Sequence, residues 1–188
     1  MHKHVTIPIG GYHGSAEPTI IQTLVGSCVA VCLFDPICKI GGMNHIFLPG
    51  RADLKHYDAQ ARFGINAMEL LINRMLALGA DRRRLLSKAF GGAHVLPGIS
   101  LENHAGQKIS DFVLDFLDNE GIPLEGCDLG GDQGRQIRFH TDTGDAFIKR
   151  IQAVKFRNIW TEEQQALIHL RRKIKKPGAI TLFTPPRG

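Results

Sequence analysis

The sequence predicts an α+β fold: a layered sandwich of mixed, largely antiparallel β-sheets with flanking helices. Two observations predict it. Short apolar runs come in pairs around tight turn signals, and segments with helical apolar spacing are inserted between those pairs. A strictly alternating parallel sheet would place a helix after each strand instead. The chain has 188 residues, enough for one well-filled core and too few for two.

Residues 18–24 and 29–34 read as short buried strands. The second, Val29-Ala30-Val31-Cys32-Leu33-Phe34, has no polar interruption, the pattern of a strand covered on both faces. Asp35-Pro36 marks a turn, and residues 39–48 return as a strand through Gly41-Gly42, so the two runs are expected to pair. After the polar stretch 49–58, Ile65, Met68, Ile72 and Met75 make one apolar helical stripe that Gly79 ends. Residues 85–90 form a strand feeding Gly91-Gly92-Ala93. A second helix carries Ile109, Phe112, Val113 and Phe116 on one face and stops at Gly121. Residues 123–129 lead to the glycine-rich turn 130–134. The strand 135–140, the turn Thr143-Gly144-Asp145 and the strand 146–151 complete a hairpin. Thr161-x-x-Gln164 is a capping-box signature for a last helix with Leu167, Leu170 and Ile174 on one stripe. Residues 1–155 are therefore expected to form one domain, followed by a basic helix and tail over 156–188.

Composition narrows the function classes. No apolar run approaches the roughly 20 residues that cross a bilayer, and residues 1–11 carry no apolar signal-peptide core, so a cytoplasmic location is expected. The four cysteines, at 28, 32, 38 and 127, contain no Cys-x-x-Cys pair, which argues against a cysteine zinc site and against a secreted disulfide scaffold. The net charge of +5 is partly concentrated in Arg171, Arg172, Lys173, Lys175 and Lys176. A nucleic-acid binder would spread basic residues over a face with interleaved aromatics. This cluster reads as a solvated helix end.

Chemistry points to Gln22-Thr23-Leu24-Val25-Gly26-Ser27-Cys28, where a thiol stands at the start of a buried strand, directly after Gly26-Ser27. A cysteine nucleophile needs a base, access for a carbonyl, and oxyanion donors. Gly26 and Ser27 are the candidates for the turn that holds oxyanion and substrate. The base candidate is His45 in Gly41-Gly42-Met43-Asn44-His45, because strands paired about Asp35-Pro36 return it toward Cys28. Spacing alone leaves a second reading open, in which both residues are ordinary core.

At these residues the chain resembles a known family, the chemoreceptor glutamine deamidases called CheD. The likeness covers about residues 18–151. It is carried by residues 24–36 around Cys28, by Gly41-Gly42-Met43-Asn44-His45-Ile46-Phe47-Leu48-Pro49, and by Tyr57 with Ala67-Met68 and Leu71-Ile72. Lys88-Ala89-Phe90-Gly91-Gly92-Ala93, Asp128-Leu129-Gly130-Gly131-Asp132-Gln133-Gly134-Arg135 and Thr143-Gly144 follow in order. The resemblance implies a sandwich similar to the deamidase domains of some bacterial toxins, and a hydrolase (a protein-glutamine glutaminase) that converts receptor glutamines to glutamates in chemotaxis adaptation. It places the nucleophile at Cys28, the base at His45 and a third member at Thr23. Some relatives carry the threonine one residue earlier, at Gln22 here, and a one-residue shift on a strand reverses the face.

The chain departs from the family pattern at Ile99-Ser100-Leu101-Glu102-Asn103, which keeps the asparagine but not the glycine and arginine. The implied chemistry calls for no metal and no organic cofactor. Glutamate methyl esters share the acyl skeleton and are an implied second substrate. Implied partners are the cytoplasmic helices of methyl-accepting receptors and a CheC-type chemotaxis phosphatase. A catalytically idle adaptor of the same fold, docking on receptors or on that phosphatase, is the competing expectation.

Overall fold

The computed structural model describes residues 2–47, 57–94, 105–151 and 165, with side chains of the first helix from Gly64 onward. Its strands are β1 (Lys3–Thr6), β2 (Tyr12–Ser15), β3 (Thr19–Val25), β4 (Val29–Asp35), β5 (Ile40–Ile46), β6 (Leu86–Gly91), β7 (Leu124–Leu129), β8 (Gly134–His140) and β9 (Ala146–Ile151). Two helices, α1 (Tyr57–Ala77) and α2 (Ala105–Asn119), complete the described elements apart from a short turn of 3-10 helix at Arg82–Arg84.

The strands form a four-stranded sheet ordered β1-β3-β8-β9 and a five-stranded sheet ordered β2-β5-β4-β6-β7. Pairing is parallel between β1 and β3 and between β6 and β7, and antiparallel elsewhere. This is the expected sandwich, and alternation along β4 explains its layering. Val29, Val31 and Leu33 point to one side and pack with Met68, Leu71, Ile72 and Met75 of α1 and with Ile109 and Val113 of α2. Cys28, Ala30 and Cys32 point to the other side and meet Ile21, Val25, Ile137 and Phe139 of the four-stranded sheet. The uninterrupted apolar run thus serves two cores, one on each face.

Glycine sets the approach of α1. A Cβ on Gly42 would lie 2.7 Å from Leu71 Cδ1 and 2.9 Å from Met75 Sδ, so a side chain there would push the helix off the sheet. Asn44, 1% exposed, fastens the same contact. Its Oδ1 accepts from Val31 N at 3.1 Å and its Nδ2 donates to Ala67 O at 3.1 Å. The β4–β5 turn is held by Asp35, whose carboxylate accepts from the Ile37, Cys38 and Asp81 amides and from Arg84. Burial pushes this carboxyl up, but Arg84 and the three amides outweigh it and hold it well below the usual carboxylate range.

Two features depart from the sequence expectation. Ile65 is 44% exposed, and the buried stripe of α1 runs through Met68, Leu71, Ile72 and Met75 instead. Strands β1 and β2 lie outside the sequence expectation, because four residues each, β1 largely exposed and β2 only partly buried, carry too little periodicity to register. Both depend on non-local partners: β1 lies parallel to β3, and β2 lies antiparallel to β5. Apart from residue 165, which is helical, the expected last helix and the segments 49–56 and 99–103 fall outside the described residues. Among the described residues no helix is long and apolar enough to cross a membrane.

Candidate active site

The β4–β5 hairpin brings Cys28 and His45 onto one face. Ala30 pairs directly with His45, and Cys28, in the bend that leads into β4, packs in the same inter-sheet cluster as Ala30. Both are buried, Cys28 at 0% and His45 at 2% exposure. They lie between the two sheets, at the edge where the chain passes from one to the other. A surface depression lined by Leu117, Gly121, Ile122 and Leu124 lies elsewhere, at the opposite end of β7.

Thr23 reaches His45 from the other sheet. Along β3 the buried positions are Thr19, Ile21, Thr23 and Val25, all facing inward, whereas Gln22 faces outward and donates to Thr6 Oγ1 at 2.8 Å. Thr23 Oγ1 lies 2.9 Å from His45 Nδ1 and 3.0 Å from the Ile7 carbonyl oxygen. The carbonyl only accepts, so the single hydroxyl proton of Thr23 goes to Ile7. The hydroxyl oxygen must then accept from His45, which places the ring proton on Nδ1. The lone pair is left on Nε2, which is buried without a hydrogen-bond partner among the described residues. Burial pushes the His45 imidazole down to about 4, so it is neutral at physiological pH. A neutral ring with its lone pair on Nε2 is the form that accepts a proton from a thiol.

This arrangement gives Thr23 a testable role. Thr23→Val keeps the shape but removes the group that accepts from Nδ1, and it strands the Ile7 carbonyl. A fall in kcat of about 10–100-fold is expected, which corresponds to roughly 1.4–2.7 kcal/mol. Thr23→Ser should recover most of it, because a serine hydroxyl makes both bonds. Steady-state kinetics on a receptor fragment decides, and equal rates for all three chains would remove Thr23 from the site.

The N-terminal arm is the part that sequence reasoning missed. Between β1 and β2 it crosses from one sheet to the other over His45. Gly10 N donates to His45 O and His45 N donates to Gly11 O, each at 2.9 Å, and Ile7 N donates to Gln22 O at 3.0 Å. Gly10 takes φ 74 in this turn, a conformation glycine adopts without strain. The signal available was Pro8-Ile9-Gly10-Gly11, a turn sequence whose partner is not deducible from local pattern.

The backbone around Cys28 is braced by the two other glycine motifs. Gly92 N donates to Cys28 O and Ala93 N donates to Gly26 O, both at 2.8 Å. A Cβ on Gly91 would stand 2.1 Å from Cys28 O, and Gly91 takes φ 126, so a side chain there is excluded twice over. Gly26 itself does not use the left-handed region. The turn after β7 closes on this strand: Gly130 N donates to Gly91 O at 2.9 Å, and His94 N to Gly131 O at 2.6 Å. Arg135, 3% exposed, holds that turn by donating to Gly130 O at 2.7 Å, Gln133 O at 2.9 Å and Asp128 Oδ1 at 2.8 Å. A line of hydrogen bonds thus runs from Arg135 to the chain on either side of Ser27.

The other cysteines lack this setting. Cys32 is 1% exposed, and burial pushes its thiol up, which suppresses the thiolate. Cys38 and Cys127 are exposed and lie away from His45.

Comparison with known proteins bears on the whole chain. Residues 47–150 match the family model described as CheD chemotactic sensory transduction, a span that begins just past His45. A protein from Shewanella oneidensis, named as a probable chemoreceptor glutamine deamidase CheD 1, is 40% identical over 181 residues, covering 95% of this chain and 87% of its own. The Vibrio vulnificus protein of the same description is 36% identical, over 97% of this chain and 87% of its own. A Chromobacterium violaceum relative, CheD 2, is 44% identical over 76% of this chain and 71% of its own. The first two matches omit too few residues at either end to leave out Thr23, Cys28 or His45. On the extent of these matches, the chain belongs to the CheD family.

Proposed function

We propose that this protein is a cytoplasmic hydrolase that deamidates specific glutamine side chains on methyl-accepting chemotaxis receptors, with Cys28 as nucleophile and His45 as base. The observation that carries the proposal is the neutral His45 ring, fixed by Thr23 with its lone pair on Nε2 and paired with Ala30, two residues past Cys28. The names of the relatives support the substrate class: each is described as a probable chemoreceptor glutamine deamidase.

In the proposed reaction His45 Nε2 takes the thiol proton and the sulfur attacks the glutamine Cδ. Donors of the turn at Gly26 to Cys28 stabilise the oxyanion of the tetrahedral intermediate. The imidazolium returns its proton to the departing nitrogen, and ammonia leaves a thioester on Cys28. Water, deprotonated by the same Nε2, attacks the thioester carbonyl. The C–S bond breaks, the thiolate is reprotonated, and glutamate is released. A glutamate methyl ester follows the same course with methanol leaving. Because Cys28 is fully buried, receptor engagement has to open a path to the sulfur. Association with a CheC-type phosphatase belongs to the same reading, supported by the family resemblance alone.

The test uses the full chain and a purified cytoplasmic fragment of a receptor. Ammonia release matched by conversion of a few discrete glutamines to glutamates, read by mass spectrometry, is expected. Tight binding of the fragment with no ammonia released would favour the idle adaptor and overturn the proposed activity.

A further inference from the structure

A second cluster of chemically capable side chains lies away from Cys28, at the start of β1 and the turn after β8. His2, His140 and Asp142 each offer one ligand atom there, and the three atoms lie within 4.8 Å of one another. His2 Nε2 stands 3.3 Å from Asp142 Oδ2. Two ligands of one tetrahedral ion stand about 3.3–3.4 Å apart when metal–ligand bonds are roughly 2.0–2.1 Å. That pair is already at coordination spacing, and a small closing movement of the rings would complete the set. From this geometry we infer that His2, His140 and Asp142 form a binding site for a divalent transition-metal ion of the zinc type.

Two of the three ligands come from a rigid support. His140 ends β8 and Asp142 follows in a turn tied at several points. His140 N donates to Asp145 O and Gly144 N donates to His140 O, each at 2.9 Å, while Thr141 N donates to Thr19 O at 3.0 Å. Thr141 Oγ1 donates to Glu17 O at 2.9 Å, and Thr141 is 0% exposed. The His-x-Asp pair is therefore presented by a turn whose backbone is already ordered, which lowers the entropy cost of binding. Phe147 also packs against the His140 ring, with centroids 5.2 Å apart. The His2 and His140 rings are tilted by 58° with centroids 5.4 Å apart, so they are not stacked flat on each other.

The acidic ligand carries an unmet acceptor. Asp142 Oδ1 is buried with no hydrogen-bond partner among the described residues, although the residue sits at the surface. Leaving such an oxygen unpaired costs free energy, and a cation bound at the carboxylate would offset that cost.

Two imidazole nitrogens and one carboxylate oxygen suit an ion of intermediate softness rather than Mg²⁺ or Ca²⁺, and three protein ligands leave a position for water. Its role follows from the connectivity. The ion would pin the beginning of β1 to the β8–β9 turn, and β1 leads directly into the arm whose Ile7 and Gly10 bond Thr23 and His45. The site is a clip on the arm and takes no part in the thiol reaction. The scarcity of paired cysteines, which argues against a cysteine zinc site, has no bearing on a site built from histidine and aspartate.

Isothermal titration of the chelator-treated full chain with ZnCl₂ tests this. One saturable ion per chain is expected, with affinity lowered at least tenfold by His140→Ala and by Asp142→Asn. His4→Ala is the control, because His4 is exposed on the same strand but outside the cluster. It should leave affinity unchanged. Melting temperatures measured without metal establish that each variant folds, and Zn²⁺ should raise the melting temperature of the unaltered chain and of His4→Ala but not of His140→Ala or Asp142→Asn. Titration with Co²⁺ should give ligand-field bands without a thiolate charge-transfer band. Three results would overturn the site: no saturable binding, affinity that survives both His140→Ala and Asp142→Asn, or a thiolate band placing the ion on a cysteine. None of these readouts depends on the activity proposed for Cys28.

Discussion

Cys28→Ala is expected to lower ammonia release from receptor glutamines by about 10³-fold or more, with little change in melting temperature. In the proposed reaction the sulfur bonds the substrate carbon, so no neighbouring group substitutes for it and the loss resembles removal of a nucleophile from other covalent enzymes. Cys32, the other thiol on this face of β4, is held protonated by burial in the inter-sheet core. The smaller side chain removes one sulfur from a packed site, a modest change in stability compared with the loss of larger core side chains. Ammonia release in a coupled assay, beside a thermal melt, separates the two effects. A variant that keeps more than a tenth of the rate, while folding normally, would remove Cys28 from the chemistry.

His45→Gln carries the second large effect, and it reads out in two ways. Loss of a general base costs about 10²–10⁴ in rate. In the unaltered enzyme kcat/KM should stay level from neutrality to about pH 5 and fall toward about pH 4, because burial pushes the His45 imidazole down to about 4. The same shift predicts a dependence of stability on pH. The unfolded histidine binds a proton as pH falls through about 6.5, while the folded one stays neutral until about 4. The unfolded state therefore holds more protons in that window. Stability is complete above about pH 6.5 and falls by roughly 3 kcal/mol on the way to about pH 4. His13 is lowered in the same direction, by burial first and then by Lys3 and Arg74, but it is present in both chains and cancels in the comparison. Urea midpoints of the unaltered chain and of His45→Gln, followed between neutral and acid pH, should diverge, with the glutamine variant showing the flatter curve. Parallel curves, or an acid limb of activity near pH 6.5, would mean that His45 titrates in the ordinary imidazole range and is not held neutral by burial.

Much of the architecture was legible because local pattern and burial coincide. The run Val29-Ala30-Val31-Cys32-Leu33-Phe34 reads as a doubly covered strand because it has no polar face to offer solvent, and β4 is buried on both sides. The hairpin about Asp35-Pro36 follows from a turn signal between two apolar runs, and its register sets His45 opposite Ala30, two residues past Cys28. Ile65 falls one step off the buried stripe of α1, since apolar identity alone does not reveal which side of a stripe a neighbouring sheet covers. Sequence spacing left Thr23 and Gln22 both open as the third residue. Their strand faces differ: Thr23 points between the sheets and meets His45, and Gln22 points out.

By itself, the sequence determined the fold class, the two helices, the paired strands and the candidates Cys28 and His45, because each is written in residues close together along the chain. Tertiary structure alone decided which histidine tautomer is present, that the arm through Ile7, Gly10 and Gly11 closes over His45, and that Arg135 braces the chain around Ser27. Those contacts join strands of different sheets or residues far apart in the chain. The bonds are made by backbone groups and buried side chains whose partners no periodicity encodes, and only the packing of two sheets against each other brings them within hydrogen-bond reach.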